Sequence, residues 1–259
     1  MYTGLYSAVA GGMAQEKQLA ALTHNLANAT TVGFKGDTSV FYGVLQPLVV
    51  GPGPSTDTMA PFIQPVDPLR LQYAEYHPHV TLQTDFSQGT LHETGNRLDF
   101  ALEGSGLFVV ASPEGERYTR QGTFSLNAEG VLVTQNGLPV QGEQGPINVN
   151  GNGFEVDATG RVLVDGRVVD RLKIVEVPPA GALEKVGETL FRLVNPNTPL
   201  QGATGVAVRQ GSVELSNSQL VRLLAGVIQT SRAYEAYQRT VQIFDQAADR
   251  AVNDIASTR

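Results

Sequence analysis

Side chains able to do chemistry are sparse in this 259-residue chain, and their spacing argues against most reactions. There is no cysteine, which removes thiolate nucleophiles, disulfides and thiolate-bound metals. His77-Pro78-His79 resembles a chelating pair, but a metal centre needs three or four converging ligands, and the other histidines are only His24 and His92. Asp99 and Glu103 would share one face of a strand, as the carboxylates of a glycosidase can; any β-domain, however, carries such exposed acids. Gly104-Ser105-Gly106 invites a phosphate-loop reading, yet position 109 is Val and no Gly-Lys-Ser/Thr follows, so a tight turn is expected. No Gly-x-Ser-x-Gly elbow occurs. No catalytic, cofactor-binding or metal-binding residue is assigned, and the chain is expected not to be an enzyme.

Charge narrows the partners. The net charge is −7, and it is carried between residues 35 and 211, because Glu16 and Lys17 balance at the start and five Arg balance five acids after residue 212. An acidic middle without a basic arm disfavours nucleic acid. No apolar run approaches a membrane span, and the N-terminus lacks the basic region of a secretory signal, its first Lys or Arg being Lys17.

The elements follow from periodicity. Leu220, Leu224, Val227, Ser231, Tyr234, Tyr237, Val241, Phe244, Ala248, Ala251 and Ile255 fall at fours and threes, the seam of a long helix from Ser218 to Ile255. A three where a four is due, between Tyr234 and Tyr237, predicts one shift of register. Such a helix is about 54 Å long, more than the width of a compact domain of about 100 residues. Residues 3 to 29 predict a second helix, with Leu5, Ala8, Gly12, Gln15, Leu19, Leu22 and Leu26 in line and Val9 and Met13 widening the stripe. Its end is expected near Asn28, where Asn, Thr and Gly compete for backbone hydrogen bonds. Phe34 then stands as an isolated apolar anchor, expected to pack back on the helical stripe.

Between residues 46 and 79 lie seven of the fourteen prolines, so regular structure is not expected there. From Val80 to about Val208 short strand-like runs alternate with turn signals such as Asn136-Gly137 and Asp165-Gly166, the pattern of an antiparallel all-β body. The fold class is α+β: an N-terminal helix and turn (1–35), an extended Pro-rich linker (36–79), an all-β body (80–210) and a C-terminal helix (211–259). The two terminal helices are expected to pair as a coiled-coil stalk, or to pair with those of neighbouring molecules, through Leu5, Val9, Leu19, Leu22, Leu26, Leu220, Leu224, Val227, Tyr234, Tyr237, Val241, Phe244 and Ile255.

The run Asn25-Leu26-Ala27-Asn28, followed by Thr31, Gly33, Phe34 and Lys35, closely resembles the N-terminal signature of the bacterial flagellar rod and hook axial proteins. Ser231-Arg232-Ala233-Tyr234-Glu235 looks like that family's C-terminal helix. Asp85-Phe86-Ser87-Gln88-Gly89, Thr94 to Asp99, Glu103 to Phe108 and Tyr118 to Phe124 resemble the β-body of its longer rod members. His24, where the family often has Asn, and Leu107, where Phe is more usual, are departures.

The resemblance implies a structural subunit of the flagellar basal-body rod that polymerises helically and serves motility as part of a drive shaft. It implies self-association, contact with other rod proteins, and passage through the flagellar type III export apparatus to a rod crossing the periplasm. The Asp85-Phe86-Ser87-x-Gly89 approach and Glu235-Ala236-Tyr237-Gln238 look more like the proximal-rod member than the distal-rod one. Two other classes remain open on the residues: a β-fold hydrolase with helical oligomerisation arms, and a binding module whose β-body recognises a ligand.

Overall fold

The computed structural model describes residues 2–46, 75–151, 153–178 and 181–257. The chain begins with α1 (Tyr2–Ala27) and ends with α2 (Leu220–Ser257). Between them run β1 (Asp37–Gln46), β2 (Glu75–Thr84), β3 (Leu91–Glu93), β4 (Phe100–Glu103), β5 (Gly106–Ser112), β6 (Gly115–Thr119), β7 (Phe124–Leu126) and β8 (Leu132–Thr134). They are followed by β9 (Phe154–Val156), β10 (Arg161–Val164), β11 (Arg167–Arg171), β12 (Ile174–Glu176), β13 (Leu183–Val186), β14 (Leu190–Leu193), β15 (Ala207–Gln210) and β16 (Ser212–Glu214). The architecture is α+β, with a helix at each end and a mostly β centre.

Two compact units divide the chain. One contains residues 1–20, 39–81 and 226–259; the other contains residues 21–38 and 82–225.

In the second unit a five-stranded sheet has the order β12-β5-β6-β14-β13, and a three-stranded sheet the order β11-β10-β9. All their pairings are antiparallel. The run Leu107-Phe108-Val109-Val110 explains why β5 lies inside the sheet rather than at an edge, since an unbroken apolar run suits a strand covered on both faces. Phe108 and Val110 point into a core with Phe100, Phe124, Leu132, Ile147, Val162 and Leu172, whereas Leu107 and Val109 point into a second one with Tyr118, Val175 and Phe191. Asp165-Gly166 makes the two-residue β10–β11 turn, both residues having positive φ, as the right-handed twist of a tight hairpin demands.

Residues 75–79 differ from expectation: they lie in β2, which pairs with β1. A two-stranded ribbon consists of edges only, and an edge tolerates a proline such as Pro78 because alternate N–H groups face away from the partner strand. The rest of the Pro-rich expectation, residues 47–74, lies outside the described residues.

Tyr118 links this packing to pH. Loss of hydration, reinforced by the neighbouring Glu116 carboxylate, pushes its phenol above the ordinary 10.0. The folded state therefore holds this proton more tightly than the unfolded chain, a contribution fully present below pH 10.0 and lost as pH rises through the folded value. Tyr118→Phe is expected to lose less stability than the parent above about pH 10, read as urea midpoints across the titration. Parallel decline of the two proteins would show that the phenol is not the cause.

Candidate assembly interface and its anchoring hub

The turn after α1 plugs into the β-body. Asn28 closes the helix, its amide donating to the His24 carbonyl at 3.1 Å while its oxygen accepts from the Thr31 hydroxyl at 3.1 Å. Asn25 clamps the outgoing chain: its Nδ2 donates to the Asp37 carbonyl at 2.7 Å, and its Oδ1 accepts the Asp37 N–H at 2.9 Å. Gly33 has φ +70°, and a Cβ there would stand 2.4 Å from the Gln121 backbone, so only glycine fits. Its N–H donates to the Glu214 carbonyl at 2.7 Å.

Beyond Gly33, Phe34 is fully buried. It meets the His24 ring edge-on at 5.5 Å, with the Lys185 ammonium 4.6 Å from its centroid. Phe34 thus meets the last turn of the helix through His24, which is outside the expected leucine stripe, and β13 completes its surroundings.

Lys35 follows at 1% exposure, beside Glu214, also at 1%, and Arg120 at 3%. Lys35 Nζ donates to Glu214 Oε1 at 2.7 Å and to the Ser87 carbonyl at 2.6 Å. Arg120 Nε donates to Glu214 Oε2, and its two terminal nitrogens reach the carbonyls of Leu102, Gly104 and Gly106. The Gly89 N–H adds a bond to Glu214 Oε1 at 2.7 Å. Burial lowers the Lys35 ammonium from its ordinary value, and the Glu214 charge opposes that shift. Asn217 completes the hub, accepting the Gly36 N–H at 2.9 Å and donating to the Asp85 carbonyl at 2.8 Å.

The residues first suspected of chemistry have structural roles. Gly104-Ser105-Gly106 makes the tight connection between β4 and β5 and offers carbonyls to a guanidinium, the reverse of the N–H cradle an anion needs. Asp99 is buried and accepts from Thr94 and Asn96, while exposed Glu103 pairs with Arg209 at 2.8 Å. His77 and His79 have side chains outside the described residues, and no metal-holding group of three or more His, Cys, Asp or Glu occurs among the described ones. Nor does any described helix have the length and apolarity to cross a membrane.

In the other unit α1 and α2 run antiparallel, as two contacts seven residues apart show. A Cβ on Gly4 would meet the Phe244 ring at 3.1 Å, and one on Gly11 would meet the Tyr237 ring at 2.5 Å. The contact ridge of α1 is small: Ala8, Gly11 and Ala14 are buried, whereas Val9 is 42% and Met13 57% exposed. Leu5, Leu19, Leu22 and Leu26 are half-buried on the flanks, and Ala27 is exposed.

On α2 the covered positions are Leu223, Val227, Thr230, Tyr234, Tyr237, Val241 and Phe244, whereas Leu220 and Leu224 are 50% and 46% exposed. Threes and fours alternate through these seven positions, with Gly226, Ser231 and Ala233 half-buried beside them, so the seam can pass Tyr234 and Tyr237 without the expected shift of register. Thr230, not Ser231, occupies the seam. Reading by hydrophobicity put leucines on the ridge, but bulky rings on one helix need Gly and Ala opposite them. Ile255 lies in α2, with its side chain outside the described residues. Sequence reasoning missed Arg120 and Glu214 as partners of Lys35; the signal was a lone acid flanked by apolar Val213 and Leu215 at the end of β16.

Two outcomes follow from these geometries. Glu214→Gln strands two buried cations and is expected to cost about 3–5 kcal/mol, whereas Lys35→Met leaves the Arg120 pair intact and costs about 1–3 kcal/mol, measured by denaturant unfolding of the full chain. The reverse order would refute the carboxylate's central place. Gly12→Ala, whose Cβ would meet only Tyr237 at 3.7 Å, should raise helix stability by about 1 kcal/mol, while Gly11→Ala gains nothing because the Tyr237 ring must move. Equal gains in helical thermal melts would contradict the packing.

Comparison with known proteins bears on all three regions. The family model described as "Flagella basal body rod protein" matches residues 5–35, the "Flagellar hook protein FlgE/F/G D1 domain" matches 101–164, and the "Flagellar basal body rod FlgEFG protein C-terminal" matches 209–254. The flagellar basal-body rod protein FlgG of Buchnera aphidicola subsp. Schizaphis graminum is 32% identical over 263 residues, covering 95% of this chain and 97% of the relative. FlgF of Rhizobium meliloti is 30% identical over 263 residues, covering 100% of both chains, and FlgG of Bacillus subtilis is 27% identical over 268, covering 98% and 99%. With its signature turn seated in the β-body and relatives matched along nearly the whole length, the chain belongs to the flagellar basal-body rod protein family.

Proposed function

We propose that this chain is a proximal-rod subunit whose terminal helices form a coiled-coil stalk and drive helical polymerisation into the flagellar drive shaft. Its class is not in doubt: proteins of this family are structural components of the basal body, not enzymes. The organisation we assign is helical stalk segments within 1–35 and 211–259, a connecting segment at 36–79 whose described ends pair as β1 and β2, and a body at 80–210 that also takes in the signature turn and β16.

The observation that carries the reading is apolar surface left open on both helices. Tyr6, Val9 and Met13 on α1 are 63%, 42% and 57% exposed, and Ile228 and Ile243 on α2 are 57% and 65% exposed. Such rows are the usual mark of a protein interface. We propose that Leu5, Val9, Leu19, Leu22, Leu26, Leu220, Leu224, Val227, Tyr234, Tyr237, Val241, Phe244 and Ile255 contribute to it. Before assembly, helices with so few partners should open easily at their ends.

Export through the flagellar type III apparatus and contact with other rod proteins belong to the same proposal. The Asp85-Phe86-Ser87-Gln88-Gly89 and Glu235-Ala236-Tyr237-Gln238 segments support the proximal assignment, and the distal-rod member of the family is the alternative.

The test is electron microscopy of concentrated protein, intact and lacking residues 1–20 and 226–259. Cutting there spares Lys35 and Glu214, so the β-body keeps its hub. The intact chain is expected to form ordered filaments and the trimmed one to remain dispersed with its β-sheet circular dichroism retained; filaments from the trimmed chain would refute assembly through the helices.

A further inference from the structure

A groove of about 420 Å³ runs along the helix pair, lined on α1 by Ala8, Val9, Gly12, Met13 and Glu16 and on α2 by Tyr234, Tyr237 and Val241 among others. Its wall is apolar on the α1 side apart from Glu16 and carries Gln238 and Gln242 on the α2 side; Glu16 is its one charged residue and has no ion-pair partner among the described residues. Gly12 lines the groove without a side chain to fill it.

On the face of α2 turned away from its seam lie exposed Ile228, Arg232, Arg239, Ile243 and Arg250. At 100° per residue these positions fall roughly opposite the Tyr237–Val241–Phe244 ridge. This back face carries the two isoleucines and three arginines, with Glu235 and Gln246 among them, so it is net basic where the only charge lining the groove is acidic. Among the described residues Arg239 has only an exposed i,i+4 contact to Glu235, at 3.4 Å, which leaves it open to a better partner.

We propose, resting on the assembly reading above, that the groove receives the back of α2 from a second copy of this chain, Ile243 entering between Val9 and Met13 and Arg239 reaching Glu16. Spacing supports this register. Copies in a helical stack keep nearly the same orientation, so the incoming α2 runs parallel to the resident one and antiparallel to α1. With Ile243 level with the midpoint of Val9 and Met13, Arg239 lies about 6 Å further along and Glu16 about 7.5 Å, a difference of one residue's rise. The two surfaces differ from each other, so the contact is head-to-tail and leaves a free groove and a free back at the ends of any stack, as open helical growth requires.

The absence of cysteine makes the test direct. Two single-substitution chains, Val9→Cys and Ile243→Cys, carrying different tags, are mixed, allowed to assemble, oxidised mildly and separated without reductant, while a parallel aliquot is sedimented to measure polymer. The expected result is sedimenting polymer in which the Val9→Cys/Ile243→Cys heterodimer exceeds either homodimer about tenfold, a disulfide requiring Cα atoms within about 7 Å. Adding Glu16→Arg to the first chain or Arg239→Glu to the second should each reduce the cross-link several-fold, and the two together should restore it. Polymer with homodimers in equal yield, or without the restoration, overturns this pairing and leaves the assembly reading standing; no polymer from the parent chain overturns both.

Discussion

One buried carboxylate, Glu214, ties the turn after α1 to β16 within the β-body. It is hydrogen-bonded to Lys35 and Arg120, and it takes a further N–H from Gly89. Three charges out of water are costly, and their attraction repays that cost only when geometry is good and the remaining donors and acceptors are used. Here they are: Lys35 spends a second proton on Ser87, and Arg120 spends its fork on three carbonyls of the β4–β5 connection. The lowered affinity of Lys35 for its proton records the residual desolvation that the carboxylate does not cancel. A triad satisfied this way specifies one arrangement, because any slip of the signature turn or of β16 leaves a bare charge in the interior.

The helix pair is built on the opposite logic. Its contact is made by size, rings of Tyr237 and Phe244 over Gly11 and Gly4, with no buried charge to specify register. Shape complementarity between large and small residues gives close approach, and it leaves the larger apolar side chains, Val9, Met13 and Ile243, facing outward. A rigid polar anchor and an adaptable apolar surface are therefore assigned to different parts of the same two arms. The anchor fixes the signature turn in the body, while the helix contact leaves apolar side chains open to solvent.

Much of this was legible in the residues. The strand runs and their turns, the limits of α1 near Asn28, and the Asp165-Gly166 hairpin all follow from local rules that tertiary contacts did not override. Family likeness located the signature, but its physical meaning was hidden: that Gly33 avoids the Gln121 backbone and that Lys35 seeks Glu214 depends on contacts across the fold. The helix seam was placed about one residue off at its α1 end and at Ser231, because hydrophobicity ranks Leu above Ala and Gly while close packing ranks them the other way. A strand containing Pro78 was likewise set aside on a rule that holds for central strands and not for edges.

The hub also says something about the order in which the body can form. Lys35 and Glu214 are 179 residues apart. Closing a flexible loop of that length costs roughly 4–5 kcal/mol, comparable to the 3–5 kcal/mol at stake when a buried ion pair is broken. The triad alone therefore cannot close the chain; it needs the β16–β3 ladder and the cores on both faces of β5 to be forming at the same time. Lys35 and Arg120 without Glu214 would be two cations in a dry site, so a chain that has not yet brought residue 214 into place has an electrostatic reason to keep its signature turn undocked. Completion of the body is thereby tied to the segments that carry Lys35 and Glu214, the turn after α1 and β16, and not to the outer lengths of the two helices.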